Sequence, residues 1–310
     1  MKKEQFQEII SGLQTTKKEK IDNIQFEELP APQQYTALVI DGGSAEIFTS
    51  ASTSIYLIRL YARGTKRRRT EKFITITRKE NTLEIREVGS KKQEVGGKKY
   101  EVRSTTEENE HMTVQLPDRF TEELGFSYGA NMYRRNEELR LALSTLQEEQ
   151  PEILIIDGSF DTKTREEQEL LEQLKTECTK KNIPLIGFSK SCTYTHEGRP
   201  LTVLIEEQSP IPTWSASYKG TRFVKLHAKA PTPFRVDIHG DVRKALSYLH
   251  WNARDIATPG YPYALIDADK MAQVTQREQE KLRFTLHAYS NETYKKDEEG
   301  LKYHETMNRF

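Results

Sequence analysis

Apolar positions along this chain change period several times, and each change marks an element. Residues 3–28 repeat at helical spacing, with Phe6, Ile9, Ile10 and Leu13 on one face. "LPAPQQ" at 29–34 ends that helix, because proline lacks an amide donor and restricts its predecessor. A strand then runs from Tyr35 to Ile40 and closes on Asp41. "DGGS" reads as a turn, 45–62 as a long strand rich in Ser, Thr and β-branched residues, and "GTKRRRTEK" as a basic turn. "FITITRKENTLEIREV" at 73–88 predicts two strands about an Asn turn, and 89–112 an exposed hairpin or loop.

Helical period returns at 132–149, where Leu139, Ala142, Leu143 and Leu146 form a stripe. Pro151 stops it, and "EILIID" at 152–157 reads as a buried strand. A helix over 161–182 carries Leu170, Leu171 and Leu174, and "IPLIGFSKS" at 183–191 is a further strand. Three strands followed by helix, strand, helix, strand predict a ribonuclease H-like α/β fold: a mixed sheet flanked by helices, with an N-terminal helix and a C-terminal α/β extension. The expected division is an N-terminal helical segment at 1–34, a domain at 35–275 with a hairpin insertion at about 60–115, and a tail at 276–310.

Composition changes this picture little. The 310 residues are 35% apolar and 30% charged, with no net charge, so any nucleic-acid binding must come from local patches. Cys178 and Cys192 form no ligand cluster. No apolar run approaches the roughly 20 residues that span a bilayer. A cytoplasmic protein without a membrane partner is expected.

Candidate chemistry begins with "LVIDGGS" at 38–44 and "LIIDGSF" at 154–160. Each apolar run ends on Asp followed by Gly. In open α/β sheets ligands gather beyond the carboxyl ends of parallel strands. If the two strands are neighbours, Asp41 and Asp157 converge. Adjacent buried carboxylates repel, and a divalent cation removes that penalty. Oxygen ligands select magnesium or manganese over zinc, and two such ions about 4 Å apart suit phosphodiester hydrolysis. The glycines leave room for a phosphate or another backbone. An Asp after a strand also serves as a turn former or helix cap; the pair together favours the site. A third ligand is expected from the intervening helix. Glu137 and Glu138 both qualify, and Glu138, bordering the buried stripe, is favoured. The run "ATPGYPYALIDADKMAQV" at 257–274 positions Tyr261 and Tyr263 ahead of a helix containing Asp267 and Asp269. "KRRR" at 66–69 (Lys66, Arg67, Arg68, Arg69) could track a nucleic-acid backbone. Phe188, Tyr194, Trp214 and Tyr218 could stack unpaired bases, or belong to the core.

"VIDGGS", a helix with Glu, "LIIDGSF", "GFSKS", "RFVKLHAKAPTPFRVDI" and "GYPYALIDADKMA", in that order over about 35–275, resemble the NurA nucleases. The resemblance implies a ribonuclease H-like core and manganese-dependent cleavage of DNA, single-strand endonucleolytic and 5′-to-3′ exonucleolytic. It also implies a homodimer docked on the hexameric translocase HerA, in DNA-end resection or in defence. By motif, Asp41 and Asp157 match the first and second metal-binding aspartates, Glu138 falls on the helix glutamate and Tyr261 on the family tyrosine. Asp269 stands eight residues later, where the family often has histidine. Lys190 matches a basic position that could meet the scissile phosphate. The implied cofactor is Mn2+ or Mg2+, one or two ions. Two other functions compete. An actin- or sugar-kinase-like ATPase shares the Asp-Gly-Ser turn but needs two cores, and this chain has length for one. A non-catalytic adaptor of a DNA translocase has no need of clustered acids.

Overall fold

A computed structural model of the chain describes residues 21–80, 82–94, 111–115 and 125–290. Its centre is built from strands whose sequence leaves them no wet face. β7 (Ile153–Asp157) buries its first four residues completely, as expected of a parallel strand covered on both sides. It lies parallel to β2 (Ala37–Thr49) and to β8 (Leu185–Ser189). From β2 the sheet continues as an antiparallel meander through β3 (Thr53–Arg63), β4 (Arg67–Lys79), β5 (Thr82–Glu94) and β6 (His111–Gln115). On the other side, β13 (Phe234–His239), β12 (Thr221–Lys225) and β11 (Trp214–Tyr218) follow β8, and β1 (Gln25–Glu27) closes that edge. Two short strands, β9 (Thr195–His196) and β10 (Arg199–Pro200), form a separate pair. The core order β4-β3-β2-β7-β8, three antiparallel strands and then two parallel ones, is the ribonuclease H-like arrangement.

Helices cover both faces because the strands alternate. Leu38, Ile40, Leu154 and Ile156 point to one face, under α1 (Gly125–Glu148) and α2 (Arg165–Lys180), where Leu139, Ala142, Leu146, Leu171 and Leu174 meet them. Val39, Ile153 and Ile155 point to the other, under α4 (Val242–Asn252) and α5 (Tyr263–Ala272). The short α3 (Leu201–Glu207) helps close the core over β11 and β12. Finally α6 (Gln276–Tyr289) lays Leu282 and Leu286 against Ala45, Ile47 and Leu57. Its Glu278 meets Arg59, 2% exposed, at 2.5 Å.

Three expectations change. "DGGS" is not a turn: β2 runs through it for 13 residues and turns only at 50–52. β7 stops at Asp157, so beyond Asp41 β2 keeps β3 as its strand neighbour and overruns β7. The helix expected over 3–28 does not include 25–27, which form β1 against β11, with Phe26 edge-on to Trp214 at 5.2 Å; residues 1–20 lie outside the described residues, as do 95–110 of the expected loop and 291–310 of the tail. The basic run is a turn only at Lys66, since Arg67, Arg68 and Arg69 open β4.

Candidate active site

The parallel register from Ala37↔Ile153 to Ile40↔Ile156 makes Asp41 and Asp157 the next neighbours, where β7 ends. By alternation both share the face of Val39 and Ile155, beneath α5. Asp41 is 2% exposed. Its Oδ1 accepts the Gly42 amide at 2.7 Å. Its Oδ2, and Oδ1 of Asp157, are buried with no hydrogen-bond partner among the described residues. Burial, then the charges of Asp157 and Glu138, push the Asp41 carboxyl up to about 8, against smaller opposing effects of Lys190 and the Gly42 amide.

Glu138 enters from α1 on the opposite face. A Cβ on Gly42 would lie 2.5 Å from Glu138 Oε1, and one on Gly43 would lie 2.3 Å from the Ala272 carbonyl oxygen at the end of α5. The two glycines therefore admit a side chain from one face and a helix end from the other. The room expected for a phosphate is taken by the protein itself. Burial raises the Glu138 pKa, and Arg134 and Arg135 oppose it. Arg134 Nη1 bonds Glu138 and also the Gly42 carbonyl at 2.8 Å. Arg135 donates to the carbonyls of Asp157 at 2.7 Å and Ser159 at 2.8 Å, fastening α1 to the end of β7. Neither arginine was singled out from sequence. Their signal was the spacing in "YRRNEEL", which places arginines three and four residues before Glu138.

Lys190, just past β8, lies 3.2 Å from Asp157 Oδ2 and 2.7 Å from Asp269 Oδ1. Partial burial opposes its charge, but Asp269, Asp157 and Asp41 outweigh that and hold its pKa above the usual lysine value. Tyr261 packs edge-on against Phe188 at 5.4 Å and Phe234 at 5.6 Å. Its hydroxyl is buried without a partner among the described residues. Burial, then Asp157, Asp41 and Asp269, raise its pKa and keep the phenol protonated.

Thus Asp41, Glu138, Asp157, Lys190, Tyr261 and Asp269 share one neighbourhood. Glu137 belongs elsewhere: it pairs with Lys72 of β4 at 2.8 Å and with Arg140. The basic run divides. Arg68 meets Glu148 at 2.6 Å at the surface and Arg69 meets Glu71 at 2.5 Å in a partly buried pair, whereas Lys66 and Arg67 are exposed. Phe188, Trp214 and Tyr218 are core; Tyr194 is exposed and lies against the Arg235 guanidinium at 4.9 Å.

Among the described residues no three His, Cys, Asp or Glu side chains are gathered into a ready-made metal cage. Lys190, Arg134 and Arg135 stand among the acids. The chemistry of the acids nonetheless fits a hard divalent cation: their ligating atoms are all oxygen, two buried carboxylate oxygens lack a partner among the described residues, and burial together with acidic neighbours raises the Asp41 pKa.

A family model described as the NurA domain matches residues 35–205. No curated protein matches the chain. Among solved structures, the NurA nuclease from Sulfolobus solfataricus is similar at 16% identity and a TM-score of 0.48, over 92% of this chain and 93% of that one. Endonuclease V of Ciona intestinalis, in complex with a 24mer DNA containing an inosine, is similar at 13% identity and a TM-score of 0.37, over 89% and 99%. Human ENDOV follows at 12% identity and 0.36, over 83% and 93%.

Proposed function

The chain belongs to the NurA family, and from that premise we propose that it is a divalent-metal-dependent deoxyribonuclease, hydrolysing phosphodiesters with Asp41, Asp157 and Glu138 as its central acids. The observation that carries this reading is the meeting of Asp41 and Asp157 at neighbouring strand ends, each with a buried oxygen that has no hydrogen-bond partner among the described residues.

Asp41, Asp157 and Glu138, with Asp269 at the rim, are the residues that would hold Mn2+ or Mg2+, one ion or two. When bound, such an ion supplies a water of lowered pKa as nucleophile and takes up charge on the leaving oxygen. The protein's own groups prepare the rest. Asp41 must lose its proton before it can act as a ligand, so loading of the site improves as pH rises toward about 8. Arg134 and Arg135 fix Glu138 and the end of β7, so the acids meet in one geometry. Lys190 stays charged and can present its ammonium to a phosphate oxygen. Tyr261 offers a protonated hydroxyl, held by two aromatic rings, to an oxygen of water or phosphate.

DNA is the proposed substrate, with single-strand endonucleolytic and 5′-to-3′ exonucleolytic cleavage. A homodimer working with a HerA-type hexameric ATPase, in end resection or defence, is the proposed setting. Membership of the family is what supports both. Lys66 and Arg67 are the members of the basic run left free to meet a DNA backbone. Among the described residues no helix is long and apolar enough to cross a membrane. The test is incubation of the protein with labelled single-stranded DNA and manganese. Cleavage that disappears in Asp41→Ala and Asp157→Ala supports the enzyme. Binding of DNA or of an ATPase partner with no cleavage in any metal would make the chain an adaptor.

A further inference from the structure

The β3–β4 hairpin carries a second charged cluster, of opposite sign to the first. Antiparallel register sets Arg63 directly across from Arg67. Like charges so placed destabilise a ladder, and the usual remedy, an acid for each, is incomplete here. The Arg67 side chain is exposed and has no hydrogen-bond or ion-pair partner among the described residues. Arg63 has one, Asp267 of α5, reached through Nε at 3.3 Å. That leaves both terminal nitrogens of its guanidinium uncommitted among the described residues. Asp267 Oδ2 itself has no well-formed hydrogen bond. Two residues before Arg63 on the same face of β3 stands Tyr61, wholly buried, its hydroxyl without a partner among the described residues. The charges that act on this hydroxyl are those of Arg67, Asp267 and Arg63. Lys66 is exposed on the turn beside them. Arg68 and Arg69 take no part, because Glu148 and Glu71 hold them.

We propose that Arg63 and Arg67, above the buried Tyr61, form an anion site that takes a backbone phosphate of a nucleic-acid strand. The donors suit that ligand: two guanidiniums offer N–H groups to a group whose oxygens only accept. The placement suits it too. Tyr61 is the register partner of Asp41 and shares the face of Val39 and Ile155, so the cluster and the carboxylates lie on one side of the sheet. Arg67 stands two strands from β2, about 10 Å away at ordinary strand spacing. Helix α5 lies between them, sending Asp267 toward Arg63 and Asp269 toward Lys190. A strand held at Arg67 would therefore pass along α5 to reach the acids. The inference rests on the nuclease reading only for whose phosphate is bound.

Binding of a labelled single-stranded oligonucleotide to the full chain in EDTA, followed by anisotropy over a salt series, tests it. Arg67→Ala should weaken binding about tenfold and reduce the slope of log K against log salt by about 0.7, and adding Arg63→Ala should reduce it by about as much again. Arg67→Lys should keep the slope. The melting temperature without DNA should hold or rise in Arg67→Ala, since a like-charge pair is removed. Unchanged affinity and slope would overturn the proposal, and so would an affinity loss accompanied by a lower melting temperature, which would mark a structural role. Stabilisation by inorganic phosphate or a nucleoside triphosphate that needs Arg67, with oligonucleotide binding indifferent to it, would assign the site to a free ligand and overturn the nucleic-acid assignment. A chain that binds the oligonucleotide through Arg67 but cuts nothing in manganese would sink the nuclease and keep this site. Asp41-dependent cutting with Arg67-independent binding would do the reverse.

Discussion

Glu137 and Glu138 are adjacent on α1 and both buried, yet they enter clusters of different character. Around Glu137 the charges close on themselves: Lys72 bridges it to Glu87, each at 2.8 Å, Arg140 joins it to Glu166, and the Tyr133 hydroxyl completes Glu87. Around Glu138 they do not close. Two arginines and a lysine stand among four acids, and oxygens of Asp41 and Asp157 have no partner among the described residues. Buried charge is tolerated when it is paired. A cluster that pairs fully holds the fold together, while one whose buried carboxylate oxygens stay unpaired among the described residues suits the proposed cation. The same helix, one residue apart, supplies both.

The largest separation should come from exchanging the two kinds of damage. Asp41→Ala or Asp157→Ala should lower cleavage about a thousandfold or more, as expected when several kcal/mol of charge stabilisation is lost, with the EDTA melting temperature unchanged or higher. A collapse of that temperature would make the acids structural. Lys72→Met removes the ammonium between Glu137 and Glu87, leaving them only Arg140 and the Tyr133 hydroxyl among the described residues, and should cost about 3 kcal/mol of stability, while cleavage per folded molecule persists; denaturant titration beside single-turnover assays separates the two. Next comes pH. The folded pKa of Asp41, about 8, lies above its ordinary 3.8, so the native state holds the extra proton. Without metal, the contribution of Asp41 to stability should be greatest below about 4, fall as pH rises toward about 8, and level off beyond, by an amount on the order of a few kcal/mol. Asp41→Asn should flatten that slope in urea midpoints measured across pH; a slope that persists would place the proton elsewhere. The smallest effect is expected at Tyr261→Phe. About a tenfold loss of turnover should accompany less than 1 kcal/mol in stability, because the hydroxyl has no partner to lose.

Sequence disclosed most where one element decides the outcome. "LIIDG" could hardly be anything but a buried strand ending in an acid, and the Leu139–Ala142–Leu146 stripe placed Glu138 beside the core. What failed depends on distant neighbours. Gly42-Gly43 reads as a break, because nothing nearby in sequence announces Glu138 on one side and Ala272 on the other. "QFE" at 25–27 continued a helical period but took its partner from β11, some 190 residues away. Arg68 and Arg69 looked like a free basic patch until Glu148, Glu71 and Glu278 were folded against them. Arg134 and Arg135 were the one local signal passed over.

The overrun of β2 past β7 has a consequence for solubility. From Gly42 onward this strand has no neighbour on its β7 side among the described residues, so a raw edge opens inside an otherwise continuous sheet. Such an edge invites another chain to zip onto it. Side chains intervene: Arg134 occupies the carbonyl of Gly42, and Gln279 and Arg283 from α6 occupy that of Glu46. Helix α6 thus works as a guard rail, keeping stray strands out of a gap that the acids need open.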